Sequence, residues 1–99
     1  MCVHELYNRG YAHSLQGDHA AAIADYTAVV DSYSADAAPA IRPKVAEALY
    51  ARGYAHGQQG QNAAGIADYT LVVERYSADS DPAIREQVAE ARELAKLAD

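Results

Sequence analysis

A chain of 99 residues is long enough for one small domain with a modest core. Its formal net charge is −6 and its eight Lys and Arg are scattered, which excludes nucleic acid and anionic membrane surfaces as partners, since both need a basic stripe. Abundant Ala, with Leu, Val, Glu, Gln and Arg in support, favours helix, and every aromatic residue is a Tyr.

The N-terminal stretch MCVHELYNRG has no basic n-region and no apolar h-region, so it does not read as a signal peptide. Cys2 is the one cysteine; it can form no internal disulfide and no Cys-based zinc site. A reducing, cytoplasmic location is the expectation. No apolar run approaches the length of a membrane span.

A first helix is predicted from Val3 to Gln16, closed by Gly17 as a C-terminal cap, with Asp18 capping the next helix. The second helix carries Ile23, Tyr26, Val30 and Tyr33 on an apolar stripe of helical period. Ser34 to Ala38 read as a loop. A linking helix is expected from Pro39, with a short turn or kink at Pro43, and a stripe of Val45, Leu49, Gly53 and His56 running on to Gln59. After Gly60 a further helix repeats the stripe as Ile66, Tyr69, Val73 and Tyr76. A last helix starts at Pro82, with Asp81 as its N-cap.

These elements are two copies of one unit. The segments beginning at Leu6 and Leu49 align without gaps at a spacing of 43, with 30 of the 43 positions identical. The expected boundaries are repeat one at 6–48, repeat two at 49–91, and a capping helix over about 82–98. Arg92 and Lys96 stand in that last helix where the earlier copies have Leu and Gly, as a polar outer face requires. The C-terminal end of an array is therefore expected there. At the other end the alternatives are a beginning at Leu6 or an excerpt from a longer array.

Helix, Gly turn and helix, with small residues where the two helices meet, resembles the tetratricopeptide repeat (TPR). Gly10 and Gly53 match the small residue of the first helix, and Ala22 and Gly65 that of the second. Tyr26 and Tyr69 match the buried aromatic, and Gly17 and Gly60 the turn glycine. With its unit of 43 residues the chain resembles the longer TPR-like class. Leu6 and Leu49, Arg9 and Arg52, and His13 and His56 depart from the family's usual residues. The resemblance implies an all-α fold, an α-solenoid of two helix–turn–helix repeats plus a C-terminal capping helix, five helices in all. It also implies a module that binds proteins or peptides in a concave groove lined by the first helices of each unit, without catalysis.

The chemistry-bearing residues fit that reading. RGYAH, at Arg9–His13 and again at Arg52–His56, belongs to the duplicated unit. Its Arg is expected to pack its stem and extend its guanidinium to water, and its His to fill a half-buried space. Asp25 and Asp68 are expected to face solvent or cap a neighbouring helix. HELYN at His4–Asn8 lacks the second His of a zinc protease, and equivalent histidines in stacked units lie about 10 Å apart, too far to share a metal ion. No catalytic residue, cofactor or metal is assigned.

The resemblance places Tyr7, Tyr11, Tyr50 and Tyr54 in the groove, with Ser14, Glu47, Glu90 and Glu93 beside them; packing of the tyrosines between units is the alternative. Tyr7, Tyr50 and Glu93 form one row, and Tyr11, Tyr54 and Leu97 the next. The Lys and Asn clamp with which some family members hold a peptide carboxylate is absent, so an acidic C-terminal tail is not the expected ligand, and Glu47, Glu90 and Glu93 favour a protein or peptide segment with Lys or Arg. A self-associating homodimer is the alternative.

Overall fold

A computed structural model describes residues 2–36 and 38–96. It contains five helices: α1 (Val3–Leu15), α2 (His19–Tyr33), α3 (Arg42–Gln58), α4 (Asn62–Tyr76) and α5 (Pro82–Lys96). The chain is thus all-helical, as expected, with no strand among the described residues. Leu97 and the expected last turn of α5 lie outside the described residues.

The two glycine turns hold because only glycine enters the left-handed region cheaply. Gly17 has φ 80° and Gly60 φ 78°. At the first turn the Gly17 N–H donates to the Ser14 carbonyl and the Asp18 N–H to the His13 carbonyl, at 3.0 and 2.9 Å. At the second, Gly60 and Gln61 donate to Gly57 and His56 at the same distances. This pairing satisfies the carbonyls that each helix end leaves open. Asp18 then caps α2, accepting from the Ala21 N–H at 3.2 Å.

Pro39 does not start a helix. The Ile41 and Arg42 N–H groups both donate to the Ala38 carbonyl, making a turn, and α3 begins at Arg42 with Pro43 in its first positions. A proline at that point removes a donor the helix could not have used. In the second copy Glu86 replaces Pro43, and Asp81 caps the helix through a 2.9 Å bond from the Ala83 N–H, so α5 starts at Pro82.

Each helix packs against the next in sequence, and α3 also packs against α1 and α5. α2 and α4 do not pack against each other. The odd helices therefore form an inner row and the even ones splay outward, in a slab whose shortest dimension, 18 Å, is close to two helix diameters. Tyr26, Leu49, Ile84, Val3, Val29, Val45 and Val72 are fully buried between the layers.

The buried face of α2 is Ala22, Asp25, Tyr26, Val29 and Val30, and that of α4 is Gly65, Asp68, Tyr69, Val72 and Tyr76. Ile23 and Ile66 are only partly buried, which corrects the predicted stripe. The small residue, not the isoleucine beside it, faces the partner helix, because only a small side chain allows the backbones to approach. A Cβ on Gly53 would lie 2.8 Å from Tyr69 Cε1 and 2.9 Å from the Gly65 carbonyl oxygen. One on Gly65 would lie 2.7 Å from the Gly53 oxygen. Gly53→Ala should therefore lower stability by about 1–3 kcal/mol, the usual cost of overpacking. Urea unfolding checks this, and an unchanged midpoint would contradict the close approach.

Candidate functional site

On the inner row lies a groove of about 450 Å³. α1 contributes Tyr7, Tyr11, Ser14 and Leu15, α3 contributes Tyr50, Ala51, Tyr54 and Gln58, and α2 adds His19 and Tyr26. The repeat interval brings the tyrosines together: residues 7 and 11 sit one turn apart on α1, and 50 and 54 repeat them on the neighbouring helix.

The two tyrosines of each pair occupy different environments. Tyr7 is half-buried, its ring 5.6 Å from buried Tyr26, and Tyr50 sits 5.6 Å from Tyr69 in the same way. These two rings are walls. Burial pushes the Tyr7 hydroxyl well above its ordinary pKa and the Tyr26 hydroxyl up to about 12, so both remain neutral near pH 7. Tyr11 and Tyr54 are each 52% exposed. With Leu15, at 72%, they are the exposed large apolar side chains of the described residues, and all three line this one groove. Tyr11 stacks on Tyr7 with centroids 6.5 Å apart.

Of the eight residues predicted for the site, Tyr7, Tyr11, Ser14, Tyr50 and Tyr54 come together in the groove wall. Glu47, Glu90 and Glu93 are not among its lining. Glu47 is held by Lys44 at 2.9 Å, and the Lys44 ammonium lies 4.7 Å over the Tyr7 ring. Glu90 stands beside the Tyr50 hydroxyl and, after burial, is the next cause raising its pKa. Glu93 pairs with Lys96 at 3.3 Å on the exposed face of α5.

RGYAH has a structural answer that the sequence did not disclose. Asp25 and Asp68 are buried, not solvent-facing. Each takes a two-pronged hydrogen bond from an arginine of the preceding helix: Arg9 Nε and Nη2 to Asp25 at 2.8 and 2.7 Å, and Arg52 to Asp68 at the same distances. The guanidinium is a clasp between paired helices, not a free head group in water. His13 and His56 stand at 3.8 and 3.7 Å from the same carboxylates. Arg52 goes further, reaching Thr27 of α2 with Nη1 at 3.3 Å and so tying the second unit to the first. Its side chain is 15% exposed, against 49% for Arg9. The one available clue was the recurrence of Arg and Asp sixteen residues apart in both copies.

Among the described residues no group of three or more His, Cys, Asp or Glu could hold a metal ion. No helix there is long and apolar enough to cross a membrane. A family model described as tetratricopeptide repeat matches residues 6–36 and again residues 46–79. The chain belongs to the tetratricopeptide repeat family. Comparison with curated proteins and with solved structures finds no match. The two matched stretches cover α1 with α2, and most of α3 with α4, so the Arg–Asp clasps join the two helices of each TPR hairpin. TPR repeats mediate protein–protein interaction, and the family is a non-catalytic interaction module.

The Arg9–Asp25 clasp and the Arg42–Asp79 pair, bonded at 3.0 Å, make stability acid-sensitive. The Arg9 hydrogen bond is the main cause holding the Asp25 carboxyl below its ordinary pKa, and Arg42 does the same for Asp79. A depressed folded-state pKa contributes stability that is present above the unfolded value of about 4 and lost as pH falls through the folded value. The thermal midpoint should therefore drop as pH is lowered below about 4, and Asp25→Asn should flatten that drop. Melting curves at stepped pH read both.

Proposed function

We propose that the protein is a non-enzymatic interaction module that takes a protein or peptide segment into the tyrosine groove. The observation that carries this reading is the gathering of Tyr11, Leu15 and Tyr54 on one concavity. Clustered exposed apolar side chains mark interaction sites, whereas scattered ones need no explanation. Tyrosine suits the role because it offers a large contact area with few rotors. Tyr7 and Tyr50 shape the groove, and Ser14 and Gln58 supply polar contacts. A basic residue in the ligand is favoured by Glu90 at the rim and by the net charge of −6. Glu47 and Glu93 contribute less, since each already holds a lysine.

Peptides selected from a displayed random library against the wild-type protein test this reading. Tyr54→Ala should weaken the selected peptides by about 2 kcal/mol or more, with the helical circular dichroism spectrum unchanged. Glu93→Gln should have a small, salt-dependent effect. Full affinity in folded Tyr54→Ala would place the ligand on another face.

Self-association through the outer face of α1 is disfavoured by the residues on it. Val45, Ala48 and Ala55 of α3 are buried, and Arg52 in the same series reaches Thr27 of α2. The same register in α1 carries Cys2, Glu5, Arg9 and Ala12, all exposed. Glu5 in the place of Ala48 would carry an unpaired carboxylate into any stacked interface, which is costly. Sedimentation at micromolar concentration should accordingly return a monomer, and a tight dimer would favour the self-association reading instead.

A further inference from the structure

A second concavity, of about 200 Å³, lies where the C-terminal end of α4 meets α5. Arg85 and Arg92 of α5 line it together with Tyr76 and Ser77. The chain has eight Lys and Arg. Six of their head groups are engaged: Arg9 with Asp25, Arg42 with Asp79, Lys44 with Glu47, Arg52 with Asp68, Arg75 with the Ser34 hydroxyl, and Lys96 with Glu93. Among the described residues, Arg85 and Arg92 are the two without a hydrogen-bond or ion-pair partner, and both face this hollow. Among the described residues no carboxylate lines it.

The duplication shows what such a hollow holds. Shifted back by 43 residues, its lining becomes Tyr33, Ser34, Arg42 and Leu49, at the junction of α2 with α3. That junction is occupied by the C-terminal end of α4 and the turn after it. Arg75 donates to the Ser34 hydroxyl at 3.1 Å, and Asp79 accepts from Arg42 Nε and Nη2 at 3.0 and 3.2 Å. At the second junction Arg85 and Ser77 stand in the same register with no such visitor. One residue differs in kind. Leu49, fully buried at the inner junction, is replaced by the exposed Arg92. An apolar wall suited to another packed helix has become a second guanidinium.

We infer that this hollow is a carboxylate-binding site, separate from the tyrosine groove, for an acidic segment of a partner protein. An Asp or Glu side chain would accept the two-pronged hydrogen bond from Arg85 that Asp79 accepts from Arg42, and Arg92 would approach its free side. Arginine suits this role because its planar fork matches a carboxylate. The arginine-lined hollow and the tyrosine groove share no lining residue and offer opposite preferences, so one extended partner can engage both.

The chain supplies its own probe. A blocked synthetic peptide of residues 72–81 carries both the Arg75 and the Asp79 that fill the inner junction. Added at millimolar concentration to the whole isotope-labelled protein, it should shift the Arg85 and Arg92 side-chain Nε–H resonances and the Ser77 amide saturably. The same peptide with Asp79→Asn should bind about tenfold more weakly, as loss of a charged hydrogen bond implies. Arg85→Gln in the protein should do likewise, and Arg92→Leu should weaken binding while leaving it measurable. Both positions are exposed, so circular dichroism should show both variants folded. No saturable shift with the wild-type protein, or binding indifferent to Arg85→Gln, overturns the inference. So does inorganic phosphate moving the same resonances at a lower concentration than the peptide, since the site would then be one for phosphate.

Discussion

The close approach of the two helices in each hairpin is the constraint on which the other contacts depend. Where Gly53 meets Gly65, each carbonyl occupies the space a side chain would need. In the first hairpin Ala22 stands in place of Gly65, and Gly10 alone provides the clearance, against the Tyr26 ring. With the backbones this close, Arg9 and Arg52 can span to the next helix, and a buried aspartate becomes affordable in free energy because both its oxygens are satisfied. Loss of one partner from a pair as enclosed as Arg52 and Asp68 costs about 3 kcal/mol. The buried ring of Tyr26 or Tyr69 then gives Tyr7 or Tyr50 a surface to lie on, and that second layer fixes the wall of the groove.

Much of this was legible in the residues. Gly17 and Gly60 mark their turns because the left-handed conformation leaves few alternatives, and the repeat of 43 residues converts one hairpin into two. The tyrosine rows followed from spacing together with the family resemblance. Asp25 and Asp68 were not legible. An Asp between Ala and Tyr on an otherwise apolar stripe reads as the solvent side, and its partner lies sixteen residues upstream on another helix. The stripe itself misplaced Ile23, because hydrophobicity ranks isoleucine above the alanine that close packing selects. Proximity in the chain also says little about which charges are already engaged, so Glu47 and Glu93 looked available until Lys44 and Lys96 were seen holding them.

The two copies share a sequence but not an environment. Arg52 is enclosed and bonded to Thr27, whereas Arg9, in the same register, is half exposed. Ala48 is buried and its counterpart Glu5 is exposed. Arg42 has Asp79, whereas Arg85 has no carboxylate within the described chain. The change from Ala48 to Glu5 shows how a duplicated unit acquires distinct surfaces, while Gly10 and Gly53, the clasps, and Tyr26 and Tyr69 stay the same.

The outward splay of α2 and α4 has a consequence for how the two hairpins are joined. Their backbones do not pack together, so the two hairpins are joined by α1 and α2 packing on α3 and by the side-chain bonds from Arg52 to Thr27 and from Arg75 to Ser34. The long Arg75 side chain, bonded to the Ser34 hydroxyl, crosses that outer gap like a tether. Tyr11 and Tyr54 project from neighbouring members of the inner row, so the way α1 and α3 both seat on α2 sets the width of the groove between them.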